Sequence, residues 1–147
     1  MPAPAVRVVG SGPLAVVVES VMSYKRSVAR LRYTFCRRHP HIDIELLLNW
    51  NERRRAAQLE LSTSIGGGCY EVEIPHATVR RPRNNGEEPM GRWLTLTDGE
   101  RALALVNDGP GGVEVTGGVV RQTLVRSATY CSGNDAVEPG YQGEHMD

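Results

Sequence analysis

Apolar and polar residues alternate along much of this 147-residue chain. Over residues 30–35, Leu31, Tyr33 and Phe35 point one way, while the arginine and threonine side chains point the other. Over residues 42–50, apolar side chains occupy every second position. A period of two is typical of a half-buried β-strand. The short link between the two runs predicts an antiparallel hairpin.

Further strands follow from the same pattern. Residues 51–57 are compatible with a helix but form too short a stretch for one, so we predict a turn there. The remaining predicted strands cover residues 58–62, 70–74, 93–97, 102–107, 113–116 and 119–125. Residues 81–89 carry prolines and an Asn-Gly pair, which predict a surface loop. Residues 102–106 are apolar on both faces, so we expect a central strand that is covered on both sides.

These elements predict an all-β, antiparallel, sandwich-like fold. The sequence contains no long amphipathic helix and no repeat of fixed period. A chain of this length suits one domain. Residues 1–13 carry no clear pattern, and we assign residues 14–147 to the β-sandwich domain.

Composition narrows the range of partners and compartments. Seventeen basic and seventeen acidic residues cancel, which disfavours nucleic acid as a partner. The longest apolar run, residues 14–18, is too short to cross a bilayer, and the N-terminus lacks the pattern of a signal peptide. Three widely spaced cysteines without a Cys-x-x-Cys pair favour a reducing compartment. We therefore expect a cytoplasmic protein without a membrane partner.

The motifs that commonly carry chemistry are incomplete in this sequence. The glycine-rich stretches lack the Lys-Ser/Thr ending of a phosphate-binding loop, and no Gly-x-Ser-x-Gly elbow occurs. His39 and His41 form an isolated pair, so we interpret them as surface residues and predict no metal site. Residues 53–55 are arginines near Trp50, but the low aromatic content and zero net charge disfavour a nucleic-acid site there. No two acidic residues form a recognisable catalytic pair, so no residue is assigned a catalytic role.

A more specific signal comes from the order of seven short segments. They are Trp50-Asn51-Glu52-Arg53, Tyr70-Glu71-Val72-Glu73-Ile74-Pro75, Arg80-Arg81-Pro82, Arg92-Trp93, Ala104-Leu105-Val106-Asn107-Asp108, Leu124-Val125-Arg126-Ser127 and Gln142-Gly143-Glu144-His145. In this order they resemble the C-terminal β-domain of glycoside hydrolase family 38 α-mannosidases. The resemblance spans roughly residues 19–145. It implies that the sandwich is part of a galactose mutarotase-like supersandwich.

The resemblance also implies a parent enzyme that removes terminal α-linked mannose from glycans with retention of configuration. In that family the nucleophilic aspartate and the zinc ligands lie in an N-terminal catalytic domain, and no position of this sequence matches them. We therefore expect the chain to be inactive alone, with the zinc in the absent catalytic domain and the α-mannosidic glycan bound by the complete enzyme. A separate catalytic chain is a possible partner. Arg126 is the candidate to contact substrate as part of the pocket wall.

The end of the sequence carries one further expectation from the resemblance. The family's domain continues beyond the segment Gln142-Gly143-Glu144-His145 into an aromatic-rich strand, whereas this sequence ends two residues later. We therefore expect an incomplete domain. A missing strand would leave an open sheet edge, which is prone to association.

A second class of function is a standalone carbohydrate-binding or scaffold module. Its candidate stacking residues are Trp50, Tyr70, Trp93 and Tyr130. A sugar can stack only on an aromatic ring that is accessible, whereas the more ordinary place of such rings is the core. Calorimetric titration with mannose and mannobiose discriminates between the two roles.

Overall fold

Twelve β-strands form the regular structure of residues 4–83, 86–109 and 111–127, which are the residues that the computed structural model describes. The strands are β1 Ala5–Ser11, β2 Ala15–Tyr24, β3 Ser27–Cys36, β4 Ile42–Asn49, β5 Ala56–Ser62, β6 Cys69–Ile74, β7 Ala77–Pro82, β8 Glu88–Met90, β9 Trp93–Thr97, β10 Ala102–Val106, β11 Gly111–Thr116 and β12 Val119–Arg126. Their pairings are antiparallel. These residues contain no helix, and therefore none that is long and apolar enough to cross a membrane. The prediction of an all-β, antiparallel fold is confirmed.

The strands fall into two compact units, whose boundary lies between Arg53 and Arg54. The first unit contains one four-stranded sheet, sheet I, in the order β1-β2-β3-β4. β1 lies within residues 1–13, for which the sequence pattern predicted no element. A register shift between Val8 and Gly10 interrupts the alternation of β1, which explains why the pattern did not reveal it.

The two faces of sheet I differ in character. One cross-strand row on the first face consists of Val8, Val18, Tyr33 and Ile44. One row on the opposite face consists of Arg7, Glu19, Arg32 and Glu45. We call these the apolar face and the charged face of sheet I. Among the described apolar residues of this unit, only Leu31 is fully buried.

The second unit is a sandwich of two four-stranded sheets. Sheet II has the order β10-β9-β6-β7, and sheet III has the order β5-β12-β11-β8. The facing sides of the two sheets share one core, which contains Ile65, Tyr70, Val72, Met90, Leu94, Leu96, Val113, Val115 and Val120. In β6, β9 and β11 the core residues occupy every second position, as the alternation predicted. The predicted sandwich is therefore confirmed.

Most predicted strands lie close to their expected positions. The predicted hairpin of residues 30–35 and 42–50 is β3 paired with β4, with Arg32 opposite Glu45. The predicted turn after β4 is irregular, and it ends where β5 begins at Ala56. Half-buried strands are predicted well because their side chains alternate between core and solvent.

β10 corrects one prediction, because it lies at the edge of sheet II and not at its centre. Leu103 and Leu105 pack against the core, while Ala102 and Ala104 are exposed and Val106 is 72% exposed. Alanine is small enough to line an exposed face, so an apolar run that contains alanine does not require cover on both sides.

The predicted loop over residues 81–89 is shorter than expected. β7 continues to Pro82, and β8 begins at Glu88 and includes Pro89. Both strands are edges of their sheets. Proline lacks a backbone N–H and is tolerated at a sheet edge, where that donor is not needed for a second neighbour. The prolines therefore mark edge strands and not only a loop.

Glu52 fixes the irregular segment that follows β4. Its Oε1 accepts hydrogen bonds from the backbone N–H of Arg26 at 2.9 Å and from the hydroxyl of Ser27 at 3.0 Å. The backbone N–H of Asn51 donates to the same hydroxyl at 2.8 Å. Glu52 is only 9% exposed. These bonds hold the segment against the turn between β2 and β3.

Candidate functional site

Arg126, the predicted substrate-contact residue, lies at the end of β12 on the outer face of sheet III. β12 pairs with β5, and the register shifts between Thr123 and Val125. Thr123 lies opposite Gln58, and Arg126 lies opposite Ala56. Since Gln58 and Ala56 are two positions apart, they share a face, and so do their partners. The bulge therefore brings Arg126 to the same face as Thr123, although three positions separate them.

Glu87 binds both of these β12 residues. Its Oε2 pairs with Nη2 of Arg126, and its Oε1 accepts a hydrogen bond from the hydroxyl of Thr123 at 2.7 Å. The side-chain amide of Gln58 donates to the same hydroxyl at 3.2 Å. Gly112 leaves room for Glu87, because a Cβ at this position would overlap the carboxylate. We call Gln58, Glu87, Gly112, Thr123 and Arg126 the Arg126 cluster.

Arg126 keeps part of its guanidinium open to solvent within the Arg126 cluster. Arg126 is 55% exposed and its charge is paired with Glu87. A guanidinium has several N–H donors in a fixed fork, so it can donate to a ligand hydroxyl while it stays bound to Glu87. The cluster offers both hydrogen-bond donors and hydrogen-bond acceptors.

Arg121 forms ion pairs with two further carboxylates on the outer face of sheet III. It donates to Glu60 at 2.9 Å and to Glu114 at 3.0 Å. These contacts raise the pKa of Arg121, and the hydrogen bond to Glu60 is the largest cause. One guanidinium thus serves two carboxylates, which is the arrangement of a structural ion-pair network.

Within the part of the chain that the structure describes, two carboxyl groups have clearly shifted pKa values, and both shifts are downward. The hydrogen bond from Arg7 is the largest cause of the lowered pKa of Glu19, followed by that from Arg32. The backbone N–H of Arg101 is the largest cause for Asp98, whose pKa falls to about 2. The general acid of a glycosidase needs the opposite shift, because it must hold a proton near neutral pH. Neither residue therefore has the properties of such an acid.

The described histidines lie on exposed turns and on no recognisable metal centre. The imidazole rings of His39 and His41 stack with their centroids 5.3 Å apart, and Nε2 of His41 lies 3.7 Å from the Asp43 carboxylate. Within residues 4–83, 86–109 and 111–127, no group of three or more His, Cys, Asp or Glu side chains is placed to hold a metal ion. The donor set of this part of the chain therefore does not fit the zinc that the resemblance implies for the parent enzyme.

The four aromatic candidates occupy different environments. Tyr70 is 2% exposed and belongs to the core, and burial is the main cause of its raised pKa. Trp50 is half-buried in the segment after β4, and Tyr130 lies outside the described residues. Trp93 is half-buried on β9, where it alternates with the core residue Leu94 and points to the outer face of sheet II. Of the three described rings, Trp93 is the one on an outward sheet face.

A comparison with family models identifies this architecture. The model described as the glycosyl hydrolases family 38 C-terminal domain matches residues 1–136. The chain belongs to this family. No curated protein matches the chain. The match begins at residue 1, so β1 is part of the family 38 C-terminal domain.

Four of the seven segments that carry the resemblance form sheet II. They include residues 70–74 of β6, residues 80–82 of β7, residue 93 of β9 and residues 104–106 of β10. The first segment is the irregular link fixed by Glu52, and the sixth contains Arg126. The last, residues 142–145, lies outside the described part of the chain. The features that identify the family 38 C-terminal domain are thus concentrated on one sheet of the sandwich.

Sequence reasoning missed two carboxylates that the family 38 C-terminal domain holds in place. Glu19 is 1% exposed and sits among arginines on the charged face of sheet I. Glu73 accepts a hydrogen bond from the backbone N–H of Arg92 at 2.5 Å, and a Cβ at Gly91 would lie 2.6 Å from the same oxygen. A glycine in the short link between β8 and β9 was the available signal for Glu73, because such a glycine often marks a close approach.

Proposed function

We propose that this chain is the C-terminal β-domain of an α-mannosidase, and that it supports a catalytic domain without hydrolysing glycosides itself. The family match over residues 1–136 carries the proposal. The order of the seven segments adds the substrate class, which is terminal α-linked mannose. The zinc and the nucleophile belong to the catalytic domain, and the β-domain contributes structural support and part of the pocket wall.

The acidic residues support the absence of independent catalysis. A retaining glycosidase uses two carboxyl groups about 5 Å apart, one of which holds a proton. Glu19 and Asp98 have lowered pKa values and bind arginines. Glu60 and Glu114 share Arg121. All four have structural partners that explain their positions without a catalytic role.

The apolar face of sheet I is the surface that we assign to the catalytic domain. Val6, Val8, Phe35 and Ile42 lie on this face and are between 43% and 63% exposed. Exposed apolar patches of this kind mark interaction surfaces. The opposite face carries the Glu19 ion pairs, so the apolar face is the one that gains from burial against a partner.

Hydrolysis of an aryl α-mannoside tests the catalytic part of the proposal. The purified chain is assayed with and without added zinc, and we expect no turnover in either condition. Turnover that follows the protein through successive purification steps would contradict the proposal.

Complementation tests the supporting role. The coding sequence next to that of this chain is searched for a family 38 catalytic domain, and the two proteins are mixed or produced together. We expect a stable complex on size-exclusion chromatography and mannosidase activity that requires both proteins. Phe35→Asp and Ile42→Asp should weaken the complex, whereas Glu45→Gln, on the charged face, is the matched control. A partner that binds all three variants equally well would contradict the assignment of the apolar face.

A standalone carbohydrate-binding module is the second candidate. The outward position of Trp93 favours it, since the ring lies on a sheet face and outside the core. Calorimetric titration with mannose and mannobiose tests it. A standalone module binds sugar without a catalytic domain. Complementation of a catalytic domain therefore discriminates between the supporting role and the standalone module.

A further inference from the structure

We propose that the outer face of sheet II binds an α-mannoside chain, with the indole of Trp93 stacked on a pyranose ring and the carboxylates of Glu71 and Glu73 accepting hydrogen bonds from its hydroxyl groups. The ligand class rests on the proposed function. The location rests on strand register, exposure and side-chain chemistry.

The strand register places these groups side by side. Trp93 is the cross-strand partner of Val106 on β10, and Thr95 is the partner of Glu71 on β6. The antiparallel register that pairs Val72 with Leu94 brings Glu73 next to Trp93. Cross-strand neighbours on one face lie about 5 Å apart, so this group is within the span of one or two sugar rings.

The chemistry of the face matches the two-sided character of a sugar. A pyranose ring presents an apolar C–H face and a rim of hydroxyl groups. Trp93 and Val106, which is 72% exposed, form an apolar strip. Glu71 and Glu73 lie on the other side of Trp93, and an ionised carboxylate accepts hydrogen bonds from hydroxyl groups. An aromatic ring beside carboxylates can therefore contact both the C–H face and the hydroxyl rim of a sugar.

Small residues keep the apolar strip accessible. Ala102 and Ala104 lie on the same outer face of β10, and both are exposed. β10 is the edge strand of sheet II, so β9 is its neighbour on one side only. A ligand that approaches from the side of β10 therefore meets Ala104 beside Thr95, and Val106 beside Trp93.

Glu73 is held in position before any ligand arrives. Its backbone carbonyl accepts the N–H of Gly91 at 2.6 Å, and its carboxylate accepts the N–H of Arg92 at 2.5 Å. A Cβ at position 91 would lie 2.6 Å from this carboxylate, so only glycine permits the arrangement. A fixed carboxylate loses less conformational entropy on binding than a free one. Gly91 is thus a positioning residue of the site.

The test on the unmodified chain uses its two tryptophans as separate probes. The indole N–H resonances of Trp50 and Trp93 are followed by NMR during titration with α-mannobiose, and Trp50→Phe assigns them. We expect a saturable shift of the Trp93 resonance in the millimolar range and little change at Trp50. No saturable change of Trp93 at tens of millimolar mannobiose would overturn the proposal.

Substitutions test the individual groups. We expect Trp93→Leu to abolish detectable binding, and Glu71→Gln to weaken it about 10-fold, which corresponds to about 1.4 kcal/mol. Gly91→Ala should weaken binding to a similar degree through displacement of Glu73, although this residue does not touch the sugar. Glu60→Gln, on the outer face of sheet III, and Gly109→Ala, at a glycine with open space around it, are the matched controls. Glu71 is exposed, so Glu71→Gln reports on the site even if Trp93→Leu does not fold.

The sugar-binding site and the proposed function can be contradicted independently of each other. Complementation of a catalytic domain without mannobiose binding would overturn this inference alone. Mannobiose binding at Trp93 without complementation would overturn only the supporting role.

Discussion

Arg32 donates a hydrogen bond from Nε to Oε2 of Glu19 at 3.0 Å across the charged face of sheet I. The two residues are direct cross-strand partners on β2 and β3. Arg7 on β1 binds the other carboxylate oxygen at 2.7 Å. Glu19 therefore connects three strands, and its side chain is 1% exposed because the arginines cover it.

This arrangement predicts that Glu19 makes stability depend on pH in the acidic range. The hydrogen bonds from Arg7 and Arg32 lower its pKa in the folded state below the ordinary value of 4.5. The unfolded chain therefore takes up a proton at a higher pH than the folded chain does. The contribution of Glu19 to stability is present in full above 4.5, and it is lost as the pH falls through the lowered value. Urea unfolding between pH 6 and pH 3 measures the effect.

Glu19→Gln should remove this part of the pH dependence. We expect the variant to be less stable than the natural chain near neutral pH, and the two stabilities to converge in acid. Glu45→Gln is the control, since Glu45 lies on the same face but is 75% exposed and 3.7 Å from Arg32. Parallel pH profiles for the natural chain and Glu19→Gln would show that the lowered pKa does not exist.

A second prediction concerns the turn between β9 and β10. Asp98 accepts hydrogen bonds from the backbone N–H groups of Arg101 at 2.8 Å and Glu100 at 3.1 Å, and from the guanidinium of Arg101 at 2.7 Å. We expect a 13C NMR titration of its carboxyl group to give a pKa of about 2, against an ordinary 3.8. Its contribution to stability is then lost between these two values as the pH falls.

Arg101→Gln separates the causes of this shift. The backbone N–H of Arg101 is the largest cause of the lowered pKa, and it remains in the variant. We therefore expect the pKa of Asp98 to rise only part of the way toward its ordinary value. A return to the ordinary value would show that the guanidinium, and not the backbone, controls the group.

A third prediction concerns Gly118 in the turn between β11 and β12. A Cβ at this position would overlap the backbone carbonyl oxygen of Thr63, whose own N–H donates to the carbonyl of Gly118 at 2.7 Å. Backbone atoms cannot move aside as the end of a flexible side chain can. Gly118→Ala should therefore cost about 2 kcal/mol or more of unfolding free energy. Gly66→Ala, where a Cβ meets nothing within 4 Å, is the control and should change stability by less than about 0.5 kcal/mol.

The alternation of side chains was enough to predict the strands that have one buried face. β3, β4, β6 and β9 lie where the pattern placed them. The same rule failed for β10, since Ala102 and Ala104 are apolar yet exposed. It also failed for β1, where a bulge interrupts the alternation. Hydrophobicity alone cannot tell a small exposed residue from a small buried one.

The position of side-chain clusters depends on contacts between distant segments, which the sequence pattern did not contain. Glu87 lies beside Arg126 because its side chain passes over Gly112 on β11 and a bulge rotates the end of β12. Arginines on both neighbouring strands bury Glu19. Its burial can therefore be predicted only when the register of the three strands is known. Only the resemblance to the family implied Arg126 as a contact residue, and its substrate contact remains a prediction.

The last prediction concerns Arg83, which follows β7 and binds three separate segments of the sandwich. It donates to the carbonyl oxygens of Ile65 and Gly117 at 2.8 Å each and to that of Cys69 at 3.3 Å. Its buried Nη2 has no hydrogen-bond partner among the described residues. Hydrogen bonds to a charged group contribute about 1.5–3 kcal/mol, and removal of the donor leaves carbonyl groups unpaired. Arg83→Ala should therefore cost about 2–3 kcal/mol of unfolding free energy, as measured by urea denaturation.

Arg83→Lys tests whether the shape of the guanidinium is essential. A lysine ammonium is a compact charge on a flexible chain, and it lacks the planar fork that reaches several carbonyl groups at once. We expect it to recover less than half of the stability lost in Arg83→Ala. Arg80→Ala, at an exposed position on the preceding strand β7, is the control. Equal stability of Arg83→Ala and Arg80→Ala would contradict the prediction. It would mean that water replaces the guanidinium at the three carbonyl groups without a loss of unfolding free energy.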